Sequence, residues 1–244
     1  MPLFAISDLH LSFQVEKPMD IFGTNWRNHH KKIAHYWHKY VGPEDTVIIG
    51  GDISWGMKLE EAKADLKFLG ELPGKKVIIK GNHDYWWESY SKVKKYLPTH
   101  ITALQNNYYP FDPQMGIAIC GTRGWQFPGQ SKDSDIEHDK KIFNRELHRL
   151  ELSLASAWKA GFTKPIVAVH FPPLKNGMPE PMILNLMQNY NVKICLYGHL
   201  HGKDHIYAFT GNMDEVYFYF TSSDYLNFIP KKIDLSLITT VNHR

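Results

Sequence analysis

Cysteine, long apolar runs and an excess of one charge are all scarce in this sequence. The two cysteines, Cys120 and Cys195, lie far apart inside apolar segments, so a disulfide framework is excluded and both are expected to be buried hydrophobic side chains. No stretch approaches the roughly 18 uncharged apolar residues that a membrane-spanning helix needs. The charges nearly balance, with 28 Lys and Arg against 25 Asp and Glu, which by itself indicates no nucleic-acid partner.

The start of the chain shows no targeting segment. The apolar residues 1–6 are followed at once by Asp8 and His10, which leaves no hydrophobic signal-peptide core. Together with the low cysteine content, this predicts a cytoplasmic protein with no membrane partner. No linker or shift in composition divides the 244 residues, so a single domain over residues 1–244 is expected.

Short apolar runs recur along the chain. Runs rich in Val and Ile, without polar alternation, are typical of strands buried on both faces of a sheet. They occur at residues 3–7, 46–51, 76–80, 116–121, 165–171 and 193–198.

Segments of helical length separate these runs. Apolar residues recur at helical spacing in residues 26–40, 58–69, 137–160 and 176–191. Strands that alternate with helices predict an α/β fold with parallel pairing. Near the end of the chain, residues 205–210 and 215–222 are expected to form an antiparallel hairpin around the turn-like sequence GNMDE.

Carboxylate, imidazole and amide side chains follow five of the predicted strands. Ligand sites in α/β sheets lie outside the carboxyl ends of the strands, so these side chains are expected to meet at one edge. A single His at a strand end is normally a surface or core residue, but five coincident strand ends outweigh that interpretation. The side chains are Asp8 and His10, then Asp52, then Asn82, His83 and Asp84, then His170, and finally His199 and His201.

The spacing and chemistry of these residues indicate a metal site. Residues i and i+2 of an extended segment point the same way, so Asp8 with His10, and His199 with His201, can each present two ligands together. Mixed oxygen and nitrogen ligands without a thiol suit Mn, Fe or Zn. There are too many ligand-type residues for one tetrahedral site, and they fit two divalent ions that share a carboxylate.

The ordered blocks D-x-H, GD, GNHD, H and GHLH resemble the signature of the calcineurin-like metallophosphoesterase superfamily, in the short form of its bacterial predicted phosphohydrolases. The resemblance implies a four-layer α/β/β/α sandwich of two mixed sheets around a dinuclear metal site. It also implies a role for each residue. Asp8, His10 and His201 would hold one ion, Asn82, His170 and His199 the other, and Asp52 would bridge them, while His83 would act beside the leaving group with Asp84 as its orienting partner.

Several aromatic and basic residues lie outside that signature. Trp55 stands where many relatives have a second Asp after the GD block, and it is expected to pack near the metal loops without touching a metal. Tyr85, Trp86 and Trp87 are expected to pack rather than to stack on a base. Arg123 is a candidate clamp for a phosphate oxygen, with a purely structural arginine as an equal alternative. The aromatic stripe of residues 25–40 is expected to face the core, and its basic face to line the mouth of the site.

These observations predict a phosphoesterase that depends on two divalent metal ions. A water between two such ions is acidified and attacks phosphorus in line. The expected substrate is a small phosphomonoester or phosphodiester, with nucleotides and cyclic nucleotides among the candidates. A nuclease is the first alternative, but the net charge of +3 offers little support for nucleic-acid binding. A non-catalytic scaffold is the second, and the complete set of ligands argues against it.

Overall fold

The computed structural model describes residues 1–130, 135–175 and 177–239. The strands are β1 (Leu3–Ile6), β2 (Thr46–Ile49), β3 (Lys75–Ile78), β4 (Ile101–Ala103), β5 (Tyr108–Asp112), β6 (Ile117–Thr122), β7 (Lys164–Val169), β8 (Leu174–Lys175), β9 (Met178–Pro179), β10 (Ile194–Tyr197), β11 (Gly211–Met213), β12 (Val216–Phe220) and β13 (Lys231–Lys232). The helices are α1 (His29–Tyr40), α2 (Leu59–Glu71), α3 (Tyr90–Tyr96), α4 (Ile136–Lys159), α5 (Pro181–Asn189) and α6 (Ser236–Thr239).

The strands form two large mixed sheets. The first sheet has the order β13-β1-β2-β3-β4, and the second has the order β11-β12-β10-β7-β6-β5. Within each sheet the central strands run parallel, while β13, β11 and β5 pair antiparallel at the edges. The short strands β8 and β9 form a separate hairpin. The parallel pairing predicted from the apolar runs is confirmed.

Alternating residues of each buried strand enter different cores, and this alternation defines the layers. In β1, Phe4 packs with residues of α1 and α2, whereas Leu3 packs with residues of the second sheet. In β6, Ile119 joins the same core between the sheets, and Cys120 packs against α4 and α5. The order of layers is therefore helices, first sheet, second sheet and helices, and the predicted α/β/β/α sandwich is confirmed.

Two predicted helices are shorter in the structure. Asn28 has φ 53°, which interrupts the segment 26–40, so that α1 begins at His29. Its buried face contains Ile33 and Trp37, as expected, but Tyr40 is exposed. The predicted helix 176–191 begins outside the described residues at position 176, and α5 itself starts at Pro181, because proline suits the first turn of a helix.

The predicted hairpin exists, but its first strand was misplaced. Residues Gly202–Tyr207 form a 3₁₀ helix, and β11 lies at Gly211–Met213 instead. The turn consists of Asp214 and Glu215, with φ of 49° and 66°. Positive φ at both residues matches a two-residue hairpin turn, which normally selects Asn-Gly or Asp-Gly. The sequence Asp-Glu therefore did not mark the exact position of the turn within GNMDE.

The two cysteines are free and buried, as expected. Within the described ranges, no helix combines the length and the apolar character needed to cross a bilayer.

Candidate metal centre

The loops after five parallel strands converge where the carboxyl ends of the two sheets meet. The sheets are joined there by an isolated parallel bridge between Ser7 and Ser222, and the amide of Ser7 donates to the carbonyl of Thr221 at 2.7 Å. The residues predicted to be metal ligands lie in the loops after β1, β2, β3, β7 and β10. The structure thereby brings together side chains from both sheets.

Asp8, His10 and His201 form a first cluster, in which one ligand atom of each residue lies within 4.8 Å of the others. The two Nε2 atoms of His10 and His201 are 3.3 Å apart, and Asp8 Oδ1 is 3.5 Å from His201 Nε2. Two ligands bound at about 2.1 Å and at angles of 90–110° lie about 3.0–3.4 Å apart. The spacing of these donors therefore fits a divalent ion.

Asp52, His170 and His199 form a second cluster within the same limit of 4.8 Å. His199 Nδ1 is 3.2 Å from His170 Nε2. The amide oxygen of Asn82 lies 2.7 Å from His170 Nε2 and 2.9 Å from His199 Nδ1, so Asn82 joins this cluster as a neutral oxygen donor. The donor set of two imidazoles, a carboxylate and an amide again suits a divalent transition metal.

Asp52 lies between the two clusters. Its Oδ2 atom is 3.4 Å from His170 Nε2 and 3.9 Å from His10 Nε2. Its other oxygen, Oδ1, accepts a hydrogen bond of 2.8 Å from the amide of His83, which holds the carboxylate in place. The position of Asp52 fits a carboxylate that is shared by two ions.

Two of the imidazoles are oriented by hydrogen bonds at the nitrogen that faces away from the clusters. His170 Nδ1 lies 3.0 Å from the carbonyl oxygen of Gly50, and His201 Nδ1 lies 2.9 Å from Asp224 Oδ1. A proton on each Nδ1 leaves the lone pair of Nε2 directed at the cluster, which is the usual support for a metal-binding histidine. Asp224 thus contributes to the site from behind His201.

Sequence reasoning missed Asp224 and also Ser222, whose hydroxyl donates to Asp8 Oδ2 at 2.8 Å. Both belong to the polar stretch TSSD, which directly follows β12. The signal that identified the other strand ends, a polar run after an apolar one, was therefore present here as well.

Backbone strain is present at four of the predicted ligands. The φ angles of Asp8, His10, Asp52 and His199 are 60°, 47°, 51° and 76°, in the left-handed region of the backbone that residues other than glycine rarely adopt. Such strain clusters at functional sites, where the surrounding contacts hold it in place. One of these contacts requires glycine, because a Cβ on Gly81 would lie 2.1 Å from Asp52 Oδ1.

Burial and the nearby carboxylates act in opposite directions on the imidazoles. Burial lowers the pKa of His199 to about 3. Burial also acts to lower the pKa of His170 and His201, but Asp52 next to His170 and Asp224 next to His201 outweigh it and raise these pKa values to about 9 and 10. Because metal ligands must give up their protons, protons and divalent cations compete for these nitrogens.

His83 lies beside the first cluster. Its ring centroid is 5.8 Å from that of His10, and burial lowers its pKa. Its Nδ1 atom is buried and makes no hydrogen bond to any residue in the described part of the chain. The position is that of a side chain next to the metal ligands rather than among them.

Asp84 has partners other than the one expected. Its carboxylate accepts hydrogen bonds of 2.8–3.2 Å from the amides of Ile53, Ser54 and Gly81 and from the indole of Trp86. The ring of His83 is not among its hydrogen-bond donors in the described ranges. Asp84 therefore connects the loop after β2 to the loop after β3, and the expected orienting contact with His83 is absent.

The aromatic residues near the site pack as expected, with one exception. The ring of Trp55 stacks on that of His10 at 4.9 Å and lies 4.5 Å from that of His83. Trp86 and Trp87 are buried in the core, whereas Tyr85 is 54% exposed. The ring of Trp55 thus forms a wall beside the first cluster.

Arg123, the candidate phosphate clamp, follows β6 next to the second cluster. Its carbonyl oxygen accepts a hydrogen bond of 3.0 Å from the amide of His170. Its guanidinium stacks on Trp125 at 4.5 Å and lies 3.7 Å from Glu146 Oε1. Arg123 is thus near the site but is turned toward a neighbouring cavity.

Two solved structures are similar to this chain over most of its length. A protein of unknown function from Aquifex aeolicus has 15% identity and a TM-score of 0.48, with 95% of both chains covered. The protein TT1561 of Thermus thermophilus has 12% identity and a TM-score of 0.54, with 89% of this chain and 87% of the other covered. At this level of identity, the second likeness shows the fold alone.

Two curated relatives match part of the sequence. The Gene 66 protein of Mycobacterium phage L5 is 36% identical over 78 residues, which is 32% of this chain and 37% of the relative. The Gene 66 protein of Mycobacterium phage D29 is 42% identical over 82 residues, which is 32% of this chain and 38% of the relative. The matched part thus spans little more than a third of these relatives.

A model of the calcineurin-like phosphoesterase family matches residues 1–203, which include both clusters, and the chain therefore belongs to that family.

Proposed function

We propose that this protein hydrolyses phosphate esters with two divalent cations held by the two clusters. The observation that carries the proposal is the position of Asp52 between two sets of donors that are spaced as ligands of one ion each. Membership of the calcineurin-like phosphoesterase family supports the same reaction class. Mn, Fe and Zn are the metals that suit the donors.

The cations supply two effects when bound, since they polarise the phosphoryl oxygens and lower the pKa of water. The residues of the chain hold them in place. Asp8, His10 and His201 would bind one, Asn82, His170 and His199 would bind the other, and Asp52 would bind both. Two carboxylates among these ligands leave a net positive site for a phosphate group.

We assign His83 to the leaving group. It lies beside the first cluster, and in its imidazolium form it can donate one proton and be left as a neutral imidazole. Because burial lowers its pKa, the fraction in this protonated form falls as pH rises. Transfer of that proton to the departing oxygen is general acid catalysis, which is worth about 10²–10⁴ in rate. The substrate class that we propose is a small phosphomonoester or phosphodiester.

A metal-dependent assay on two chromogenic esters tests this function. The chelated protein is reloaded with Mn²⁺, Fe²⁺ or Zn²⁺, and turnover of 4-nitrophenyl phosphate and bis(4-nitrophenyl) phosphate is measured. We expect turnover to require the metal and to fall strongly in His10→Ala and His199→Ala, with the exposed His38→Ala as the matched control. Turnover that survives chelation, or metal binding that both site variants retain, would contradict the proposal.

A further inference from the structure

A cavity of about 240 Å³ lies next to the second cluster, and the mechanism above does not use it. We call it the basic cavity. It lies at the carboxyl ends of β3 and β6, because Lys80 and Thr122 line it. Lys80 stands two residues before Asn82, and the neighbouring Arg123 is bonded through its carbonyl oxygen to the amide of His170. The cavity is therefore adjacent to the metal ligands.

Positive charge predominates in the basic cavity. Its cationic lining residues are Lys80, Arg123, Arg145 and Arg149, and its carboxylates are Glu88 and Glu146. Glu88 is already paired with Lys92, which lies outside the lining. Glu146 is thus the single carboxylate left to balance four cationic side chains.

Glu146 cannot satisfy all the guanidinium groups around it. The Glu146 side chain is buried, and its Oε2 atom accepts a hydrogen bond of 2.6 Å from Thr122. Its Oε1 atom accepts one of 2.7 Å from Arg149, while Arg145 and Arg123 lie at 3.5 and 3.7 Å. These longer contacts exceed hydrogen-bond distance, so among the described residues Glu146 leaves most of the donors of two arginines available.

Arg123 is held in place with an unused donor. Its side chain is 17% exposed, and its guanidinium stacks on Trp125 at 4.5 Å. Its Nε atom is buried and has no hydrogen-bond partner in the described ranges. A buried donor without a partner costs free energy, which a bound acceptor would recover.

We propose that the basic cavity binds a second phosphate group of the substrate, while the scissile phosphate group lies at the metal centre. The planar guanidinium fork matches the oxygens of a phosphate, and the excess of positive charge attracts a dianion. The substrate class is then a phosphate ester that carries a further phosphate group. The scissile half of this inference rests on the function proposed above, whereas the affinity of the cavity for phosphate does not.

Binding of inorganic pyrophosphate to the metal-free full chain tests the cavity itself. Titration calorimetry at 150 mM salt compares the wild type with Arg145→Gln. Because Arg145 is 52% exposed, we expect its replacement to leave the fold and the bond between Arg149 and Glu146 intact. Lys140→Gln, on the exposed start of α4 and away from the cavity, is the matched control.

We expect Arg145→Gln to weaken pyrophosphate binding about tenfold, because a hydrogen bond to a charged group is worth about 1.5–3 kcal/mol. Lys140→Gln should leave the affinity within about twofold, since an exposed charge away from the ligand is screened by salt. Equal weakening by the two variants, or no saturable binding to the wild type, would overturn the proposal.

Turnover by the metal-loaded protein tests whether the cavity contributes to recognition of a substrate that carries a second phosphate group. The matched pair is thymidine 5′-(4-nitrophenyl phosphate) and the same compound with a 3′-phosphate. We expect the added phosphate to raise kcat/KM about tenfold in the wild type, and Arg145→Gln to remove most of that gain. Equal kcat/KM for the two esters would overturn the second-phosphate subsite and leave the hydrolase intact. No turnover of either ester would count against the proposed function instead, and pyrophosphate binding would still decide the role of the cavity.

Discussion

The two metal-ligand clusters use similar donors but are supported by different parts of the chain. In the first cluster, hydrogen bonds from other side chains hold the donors in place, since Ser222 is bonded to Asp8 and Asp224 is bonded to His201. In the second, His170 is held by a backbone carbonyl, and the amide of Asn82 takes the place of a second carboxylate. The first cluster therefore has more negative charge close to its donors.

The surroundings of the two clusters also differ in charge, and again the second cluster has the more positive environment. The first is flanked by the rings of Trp55 and Trp26, at 4.9 and 5.8 Å from that of His10. The second adjoins the cationic side chains of the basic cavity. Because nearby cations oppose a bound metal and anions favour it, the first cluster should hold its ion more tightly. The second cluster faces the place where we expect further phosphate groups.

Loss of the shared ligand should have the largest effect, because it removes the feature common to both clusters. Asp52→Asn takes away one negative charge between two cations, and we expect turnover of bis(4-nitrophenyl) phosphate to fall by more than about 10³-fold. Metal content after dialysis should decrease at both sites. Glu44→Gln, an exposed carboxylate paired with Lys75, is the control. A variant that keeps one tightly bound ion would show that Asp52 belongs to one cluster only.

Replacement of His83, which lies next to Trp55 beside the first cluster, should show whether it donates a proton to the leaving group. We expect His83→Asn to keep its metal and to hydrolyse esters with alkyl leaving groups about 10²–10⁴ times more slowly. Nitrophenyl esters should be affected much less, because nitrophenolate departs without a proton. The measurement is kcat on both ester types with metal content determined alongside, and His38→Asn serves as control. Equal losses on both types, or loss of metal, would rule out the general acid assignment.

Removal of the carboxylate that bonds to His201 should weaken metal binding at the first cluster and not at the second. Asp224→Asn deletes a charge that supports the first cluster alone, and outer-shell changes of this kind cost about 10–100-fold in metal affinity. In a Mn²⁺ titration we expect the tighter of two binding steps to weaken by about tenfold while the weaker step stays unchanged. Asp204→Asn, on the exposed part of the 3₁₀ helix Gly202–Tyr207 that follows His201, is the control. Weakening of both steps to the same extent would mean that the clusters are not independently supported.

The smallest effect is expected at Asp84, which supports the loop that carries Asn82. Asp84→Asn replaces an acceptor that faces the amide of Gly81 with an amide donor, so one hydrogen bond is lost in a buried place. We expect a loss of about 1–3 kcal/mol in stability. Thermal unfolding of the metal-free protein measures it, and the exposed Asp20→Asn is the control. Unchanged stability together with slower turnover would instead indicate that Asp84 acts directly in catalysis.

The sequence predicted the elements better than the connections between them. Continuous apolar runs identified the buried strands, because a strand covered on both faces must be apolar throughout. Edge strands were missed, since β4 and β5 have no such requirement and contain polar residues such as Thr102 and Asp112. The first strand of the hairpin was misplaced because the expected turn GNMDE includes Gly211–Met213, which forms β11.

The sequence alone determined the identities of the candidate ligands, their order and their places after strands, since each of these is a local property. The tertiary structure decided which of them meet. Asp8 and His199 are 191 residues apart, and Asp8 and Ser222 are 214 apart, yet each pair is in hydrogen-bond contact across the two sheets. The strained backbone at Asp8 and Asp52, the support of His201 by Asp224, and the grouping of arginines around Glu146 depend on the same packing. Contacts of this range arise only when the sheets stack, because no local pattern specifies which strand ends will become neighbours.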